Sequence, residues 1–316
     1  MEYENKNFHK PVLLREVLYY LSLKQGDLVF DGTLGGAGHS LAIIKVIAPT
    51  GKIIGVDLYS KALSTAARKL RGYKENVILK KDNFSNIKAI LWKEGIRKVD
   101  KILLDLGLSS FQIERSKKGF SYMRKEKLDM RFSNEEGLSA FKVINEYPES
   151  ELLRIFFEYG QERWSKNIVK NILKEREVEK ISDTGRLVDI IKNSIPGKYK
   201  YKGGHPAKRI FQAIRIEVNK ELDNLKKGIM DGFDVLKKGG RMAIISYHSL
   251  EDRIVKDKFL TFSGQCTCPP DFPVCRCGAK KEAIILTKKP VRATEKEVRK
   301  NPRSKSAKLR AIKKIV

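Results

Sequence analysis

The sequence has little cysteine, and none of it precedes Cys266. This scarcity excludes a disulfide framework and a cysteine nucleophile from most of the chain. Long apolar runs are missing too, because a run of about eighteen apolar residues, the length that spans a membrane, occurs nowhere. Residues 1–10 contain acids and asparagines in place of the apolar centre of a signal peptide. We therefore expect a soluble, cytoplasmic protein with no membrane partner.

Acidic residues are scarce relative to basic ones. The chain has 65 Lys and Arg against 38 Asp and Glu, a net charge of +27. Such an excess favours a polyanionic partner by raising the positive potential of the surface, although a lysine-rich proteome would give the same balance. Apolar residues make up 41% of the 316 residues. That is enough for a core in one large domain with an insertion, or in two domains.

Glycine is concentrated in residues 29–40, which read V-F-D-G-T-L-G-G-A-G-H-S. An apolar run ends at Asp31, four glycines follow within seven residues, and an apolar helical pattern resumes at Leu41. This order predicts a strand, a glycine loop and a helix. A loop of this kind at the carboxyl end of a first parallel strand is where doubly wound α/β folds bind nucleotides.

The glycine pattern narrows the choice of nucleotide. Gly36-x-Gly38-x-x-Leu41 fails the dinucleotide fingerprint, and no Gly-Lys-Ser/Thr follows to make a P-loop. A second acid, Asp57, closes the apolar run at 53–56. Two carboxylates at the tips of neighbouring strands suit S-adenosylmethionine, because one can face its charged methionine part and the other can accept hydrogen bonds from its ribose hydroxyls. A purely structural glycine loop is the alternative.

Two further predicted strands end in polar residues. The run at 77–79 leads to Phe84, whose ring would either stack on adenine or belong to the core. The run at 101–104 ends at Asp105, where a carboxylate could hold an exocyclic amino group and turn its lone pair toward a methyl group. Methylation of a pyrimidine carbon usually needs a cysteine nucleophile, so the lack of cysteine before Cys266 favours a nitrogen target.

Six ordered segments carry a resemblance to a known family. They are H-K-P-V-L-L at 9–14, D-G-T-L-G-G-A-G-H-S at 31–40, L-L-D-L-G-L-S-S at 103–110, G-F-S-Y-M-R with L-D-M-R at 119–131, H-P-A-K-R-I-F-Q-A-I-R-I at 205–216 and I-S-Y-H-S-L-E-D-R-I-V-K at 245–256. Over essentially its whole length the chain resembles the bacterial small-subunit rRNA cytosine-N4 methyltransferases, also called MraW. The resemblance implies cofactor contacts at Ala37, Gly38, His39, Asp57, Phe84, Asp105 and Gln112.

We predict an α/β fold of the class I S-adenosylmethionine-dependent methyltransferase type, Rossmann-like, with a doubly wound, mostly parallel sheet and an inserted all-helical domain. Residues 1–114 would form the first part of the methyltransferase domain, 115–214 the insertion, and 215–316 the second part with a basic C-terminal tail. Strand-like runs stop within the insertion, and helical spacing appears at 149–159, 163–174, 184–194 and 206–236. A helix to about 238, a Gly239-Gly240 turn and a strand at 242–246 would follow.

Basic residues interleaved with aromatic ones make the insertion the predicted RNA-recognition domain. The stretch contains Lys198, Tyr199, Lys200, Tyr201, Lys202 and His205 and the RNA-binding candidates Lys208, Arg209, Phe211 and Arg215. The alternative is a solvated helix face with a few core aromatics. Residues 288–316 hold twelve Lys or Arg against two acids, which predicts a basic strand and arm along the RNA backbone, with Arg303 as a candidate.

His248 and Ser249 follow the predicted strand at 242–246. A hydrolase would need a context such as G-x-S-x-G, which is missing. We therefore expect this pair to position the substrate or Ser249 to cap a helix, and His248 is a candidate for RNA binding.

The four cysteines form two C-x-C pairs, Cys266 with Cys268 and Cys275 with Cys277. Four thiolates this close could bind zinc, but structural zinc pairs more often have two to four intervening residues. An unmetallated loop is the favoured interpretation, and we predict no metal as a resident group.

Together these patterns predict an enzyme that uses S-adenosylmethionine to methylate an exocyclic amino group; the resemblance implies that the target is N4 of one cytosine in the decoding region of 16S rRNA in the 30S subunit. Asp31, the glycine loop and Asp57 would hold the cofactor, with Asp105 at the reacting end. A non-catalytic RNA-binding assembly factor is disfavoured by the intact loop and strand-end acids. An NAD-dependent enzyme is disfavoured by the broken fingerprint. The sequence leaves open a monomer or a homodimer, and naked rRNA or the assembled subunit as substrate.

Overall fold

The structure is a computed structural model that describes residues 10–107, 116–133, 137–199, 204–266 and 280–316, with Cys268, Phe272, Val274 and Arg276. The chain forms two compact units. One consists of Met1–Gly107 and Leu222–Val316, and the other of Leu108–Glu221. The assignment of 115–214 as a separate RNA-recognition domain stays a prediction.

The first unit is built on a seven-stranded sheet. Its strands are β1 (Leu28–Asp31), β2 (Lys52–Asp57), β3 (Val77–Lys81), β4 (Val99–Asp105), β5 (Leu236–Ser246), β6 (Ala283–Ile285) and β7 (Lys308–Lys314). They lie in the order β3-β2-β1-β4-β5-β7-β6. The pairs from β3 to β5 are parallel, and β7 is antiparallel to both β5 and β6. This order, with its switch at β1 and β4, confirms the predicted class I methyltransferase fold.

Helices follow the strands and fill the insertion. In chain order they are α1 (Leu14–Leu21), α2 (Gly38–Ile47), α3 (Ser60–Lys69), α4 (Ile87–Lys93), α5 (Ala140–Glu146), α6 (Glu149–Glu158), α7 (Ser165–Val178), α8 (Thr184–Ser194), α9 (Lys208–Asn219), α10 (Glu221–Val235), α11 (Ser249–Phe262) and α12 (Glu295–Lys300). Among the described residues, no helix is both long and apolar enough to span a membrane.

The sheet is buried on both faces because successive residues of its strands are apolar. Phe30, Ile54 and Ile102 join one buried cluster, and their neighbours Val29 and Ile53 join the other. This alternation follows the two-residue period of a strand. Parallel pairing of β1 with β2 and β4 places the carboxyl ends of these strands at one edge of the sheet. The acids that close the three strands are therefore neighbours.

Two predicted boundaries are wrong. The helix expected at 206–236 is two helices, because Lys220 adopts a left-handed φ of 49° between α9 and α10. The Asn219 side chain fixes that break by donating to the Met130 carbonyl and accepting from the Phe132 amide. The helix expected to reach 238 ends at Val235, and β5 begins at once.

The C-terminal basic segment is a strand inside the sheet. β7 pairs with β5 from Lys308 to Lys313 and with β6 on its other side. Leu309 and Ile312 are fully buried, and Arg310 is ion-paired with Asp252 at 2.6 Å. The predicted strand is confirmed, and the contact of this segment with RNA backbone stays a prediction.

The second unit has a helical core of its own. Apolar faces of α6, α7, α8 and α9 supply Phe156, Ile168, Leu187 and Ile214, all fully buried. The buried Asn145 side chain accepts from the Ile181 amide and donates to its carbonyl, which satisfies the backbone where the chain enters α8.

Candidate functional site

The glycine loop is fastened to the strands on both sides of β1. The Gly32 amide donates to the Leu103 carbonyl of β4 at 2.9 Å, and the Leu34 amide donates to the Val56 carbonyl of β2 at 3.0 Å. Gly35 has a φ of +49°, which favours glycine. Ala37 adopts a left-handed φ of 53° as the residue before α2. The loop is thus a fixed shape held between the tips of three strands.

Asp31, the last residue of β1, holds the glycine loop through hydrogen bonds with its side chain. The Ser40 hydroxyl donates to one of its oxygens at 2.6 Å, and the Thr33 amide donates to the other at 3.2 Å. Burial raises the pKa of this carboxyl, an effect that the Ser40 hydrogen bond and the nearby His39 oppose. Only 2% of Asp31 is exposed, so its role in the structure is to hold the loop, and its predicted contact with a cofactor stays a prediction.

Asp57 ties the loop to the tip of β2. One carboxylate oxygen accepts from the Gly35 amide at 2.9 Å, and the other accepts from the Tyr59 amide at 2.8 Å. Burial raises the pKa of Asp57 to about 6, although both amide hydrogen bonds act to lower it. The carboxylate is therefore held in place by two backbone amides, and its pKa is higher than that of an exposed aspartate.

Asp105 is held at the tip of β4 through its backbone and its side chain. Its amide donates to Thr33 Oγ1 at 2.6 Å, and the Tyr247 hydroxyl donates to its Oδ1 at 2.7 Å. His39 Nδ1 lies 3.8 Å from Oδ2. The Asp105 side chain is 15% exposed. The glycine loop thus supplies two of its neighbours, Thr33 and His39.

His39 has a defined tautomer at this point. Its Nε2 lies 2.9 Å from the Val12 carbonyl oxygen, which can only accept a hydrogen bond, so Nε2 carries the hydrogen. In the neutral ring Nδ1 is then the unprotonated nitrogen, and it is the nitrogen nearest Asp105. The predicted residues Gly38 and Ala37 lie beside it at the start of α2, where a Cβ on Gly38 would come within 3.1 Å of the Pro11 ring.

Tyr247 is a member of this edge that the sequence reasoning missed. It comes directly after β5, just as Asp105 ends β4, so the rule that strand ends meet at one edge would have found it. The sequence interpretation of this stretch rested on His248 and Ser249 instead. Thr33 and Ser40 were missed as well, because neither residue type stands out within a glycine loop.

Phe84 is partly buried against the core of the first unit. A Cβ on Gly228 of α10 would meet its ring at Cε2, 2.7 Å away, so the ring packs directly on that glycine. This supports the core alternative for one face of the ring, and adenine stacking stays a prediction. Gln112 lies outside the described residues.

The RNA-binding candidates of α9 include exposed residues and residues that are buried or ion-paired within the protein. Lys208 and Arg209 are exposed, and Arg209 donates to the Gln161 carbonyl at 3.1 Å. Phe211 is only 4% exposed within the helical core, which favours the alternative of a core aromatic, and its stacking on a base stays a prediction. Arg215 makes two hydrogen bonds with the Glu221 carboxylate at 2.8 and 3.0 Å, and its contact with phosphate stays a prediction.

The other two RNA-binding candidates belong to the first unit. His248 is the N-cap of α11, where its side chain accepts from the Glu251 amide and the Glu251 side chain accepts from the His248 amide. The cap predicted for Ser249 is therefore provided by His248. Arg303 lies half-buried in the short helix Pro302–Ser306. Its charge acts to lower the pKa of Tyr247, against the larger effect of burial. Lys200, Tyr201 and Lys202 lie outside the described residues.

The cysteine pairs are described only in part. Cys266 is exposed, and the Cys268 amide points at its sulfur at 3.4 Å. Cys275 and Cys277 lie outside the described residues. Zinc binding by the four cysteines stays the less favoured of two predictions.

Comparison with known proteins identifies the family of this chain. The family model of the MraW methylase family matches residues 6–315. The "Ribosomal RNA small subunit methyltransferase H" of Clostridium botulinum strain Loch Maree is 49% identical over 307 residues, covering 97% of this chain and 99% of that protein. The protein of the same name from Heliobacterium modesticaldum is 47% identical over 308 residues, covering 97% and 98%.

Solved structures are more distant. An rRNA methylase from Streptococcus thermophilus has a TM-score of 0.43 at 9% identity, covering 98% of this chain and all of that one. A SAM-dependent O-methyltransferase from Thermotoga maritima has a TM-score of 0.41 at 12% identity, covering 99% and 69%. The family match over almost the whole length, joined to relatives nearly half identical, shows that this chain belongs to the MraW methylase family.

Proposed function

We propose that this protein transfers the methyl group of S-adenosylmethionine to N4 of a single cytosine in 16S rRNA, in the decoding region of the small ribosomal subunit. The observation that carries the proposal is the edge formed by the glycine loop, Asp57 and Asp105, a fixed loop with one carboxylate on each side. The similarity to small-subunit rRNA methyltransferases and the net charge of +27 support an rRNA substrate.

The proposed reaction is a direct displacement. The N4 lone pair forms the new N–C bond, the methyl–sulfur bond breaks, and its electron pair stays on sulfur to give neutral S-adenosylhomocysteine. N4 then carries a positive charge until one of its protons leaves to Asp105 or to water. Asp105 would accept a hydrogen bond from the amino group, orient its lone pair and stabilise the developing charge.

The choice of nitrogen over a ring carbon rests on what surrounds Asp105. Carbon methylation needs a thiolate that adds to the pyrimidine ring, and no cysteine precedes Cys266. The described side chains at this edge are instead a carboxylate, a phenol and an imidazole. These groups suit an amino group, which needs an acceptor and correct orientation.

Cofactor binding should weaken in mild acid. Asp57 has a pKa of about 6, and hydrogen bonds from the ribose hydroxyls favour its ionised form. As pH falls from 7.5 to 5 the carboxylate takes up a proton, and the dissociation constant for S-adenosylmethionine should rise roughly tenfold. Calorimetry at the two pH values measures this change.

Asp57→Asn is the matched variant, because its amide side chain takes up no proton between pH 7.5 and pH 5. It should bind the cofactor more weakly at pH 7.5 and show little further loss at pH 5. Asp223→Asn changes an exposed acid of α10 and should behave as wild type. An equal pH dependence in wild type and Asp57→Asn would remove Asp57 from the cofactor site.

The proposed RNA surface consists of exposed cations of the second unit. Lys208 begins α9, and Arg163 is exposed between the rings of Trp164, at 4.8 Å, and Tyr199, at 4.5 Å. Lys198 lies 5.1 Å from the Tyr199 ring centre. Cations held by aromatic side chains suit a single-stranded RNA, which offers phosphates and unstacked bases.

Lys208→Gln should weaken RNA binding and lower the slope of log affinity against log salt by about one, because one fewer counterion is released. The control is Lys52→Gln, which removes an exposed lysine at the opposite, amino end of β2 and should leave the slope unchanged. Filter binding to 16S rRNA at several salt concentrations measures both. Equal slopes for Lys208→Gln and wild type would exclude this lysine as a phosphate contact.

The experiment that tests the function is methyl transfer from labelled S-adenosylmethionine. Naked 16S rRNA, 30S subunits and 50S subunits are incubated with wild-type protein and with Asp57→Asn at limiting cofactor. We expect label in 16S rRNA, much less with the variant, and none in 50S subunits. Label in 23S rRNA, or no label in any RNA, would contradict the proposal. The comparison of naked and assembled 16S rRNA identifies the substrate.

A further inference from the structure

Tyr247 is a partly buried polar side chain at the candidate site for which the proposed reaction has given no role. Its hydroxyl donates to Asp105 Oδ1 at 2.7 Å. Burial, together with the neighbouring Asp105 carboxylate, raises the pKa of this phenol well above its usual value. The phenol is therefore protonated at neutral pH and is a permanent donor to the carboxylate.

The position of Tyr247 does not depend on its hydroxyl. Its amide donates to Glu251 Oε2 at 2.8 Å, which fixes the backbone at the start of α11. Its ring lies flat against Gly107, because a Cβ there would come within 2.7 Å of Cε2 and 3.0 Å of Cζ. Removing the hydroxyl alone should thus leave the ring in place.

The two oxygens of Asp105 have different surroundings. Oδ1 accepts the Tyr247 hydrogen bond at 2.7 Å, whereas Oδ2 lies 3.8 Å from His39 Nδ1, which is beyond hydrogen-bond distance. The hydrogen bond from Tyr247 to Oδ1 restricts the rotation of the carboxylate. Oδ2 is then the oxygen that remains for a donor from a bound molecule.

We infer that Tyr247 is a positioning residue of the methyl-transfer step, which holds Asp105 so that Oδ2 receives the amino group of the substrate. This inference rests on the proposed function, because the amino group belongs to the proposed cytosine. Tyr247 itself does not touch the reacting atoms. It takes up Oδ1, restricts the carboxylate to one orientation, and removes the reorganisation that a free carboxylate would undergo in the transition state.

The test is single-turnover methyl transfer to 16S rRNA by Tyr247→Phe, at saturating cofactor. The rate should fall roughly 10- to 100-fold, the effect of losing one hydrogen bond to a charged group. The dissociation constant for S-adenosylmethionine and the KM for RNA should stay within about threefold of wild type. Tyr73→Phe changes another part-buried tyrosine of the same unit and should keep the wild-type rate.

A double-mutant cycle separates positioning through Asp105 from a general structural effect. If Tyr247 acts through the carboxylate, Tyr247→Phe should have almost no further effect on the rate in an Asp105→Asn protein. Additive losses, or a wild-type rate for Tyr247→Phe, would overturn the inference while leaving the function intact. If wild-type protein transfers no methyl group, the proposed function fails and this inference fails with it.

Discussion

Replacing Asp105 by Asn is expected to lower the rate of methyl transfer by about 100-fold or more at saturating cofactor. Asn keeps the size of the side chain and one oxygen that can accept the Tyr247 hydrogen bond. It removes the negative charge and places an amide donor where the substrate amino group would donate. Loss of one such electrostatic contact in a transition state costs about 2.7–4 kcal/mol.

The division between kcat and cofactor affinity identifies the role of Asp105. If the carboxylate acts on the reacting amino group, kcat and kcat/KM fall together, and saturating cofactor does not restore the rate. A modest loss of cofactor affinity is compatible with this role, because His39 and Thr33 of the glycine loop lie next to Asp105. Full recovery of the rate at high cofactor would make Asp105 a cofactor ligand alone, and wild-type values for both would exclude both roles.

Deleting residues 308–316 is expected to abolish the cooperative folding of the protein. The deletion removes β7, which separates β5 from β6 in the sheet. Leu309 and Ile312 are fully buried, and burial of each contributes roughly 1.5–3 kcal/mol. Those two side chains alone approach the lower end of the 5–15 kcal/mol or so that stabilises a typical domain, before the lost strand pairing is counted.

Urea unfolding followed by circular dichroism measures this effect. The control is removal of Ile315 and Val316 only, which leaves β7 whole and costs one backbone hydrogen bond, from Ile315 to Glu282. We expect a cooperative transition for the control and none for the longer deletion. A stable longer deletion with weakened RNA binding would instead support the arm that the charge pattern predicted.

The sequence predicted the fold well where apolar runs end in glycine or acid. Strands β1, β2 and β4 follow from short apolar runs, each of which ends at an acid. The break at Lys220 could not be predicted, because neither glycine nor proline marks it. Its cause is the Asn219 side chain, which binds a backbone segment nearly 90 residues earlier.

Charge pattern was the weakest guide to function. Lysine and arginine counts show excess positive charge but not which cations are engaged. Arg215 and Arg310 have acidic partners distant in sequence or on another element, Glu221 and Asp252. Since such pairing depends on the tertiary fold, the exposed cations Lys208 and Arg163 become the better RNA candidates only once the structure is known.

The side chains that hold the site residues in place could not be predicted from residue spacing either. Ser40 and Thr33 hold Asp31 and Asp105, and nothing in a glycine loop distinguishes such hydroxyls from ordinary loop residues. Tyr247 was predictable from its place after a strand. Its link to Asp105 required the register of β4 with β5, in which Asp105 lies opposite Ile245.

The most direct test of the proposed function is the identity of the methylated nucleoside. 16S rRNA labelled by this protein with S-adenosylmethionine is digested to nucleosides and separated by chromatography with mass detection. We expect the new methyl group in N4-methylcytidine, at one cytosine of the decoding region. Label in 5-methylcytidine, in a 2′-O-methylated nucleoside or in a purine would contradict it.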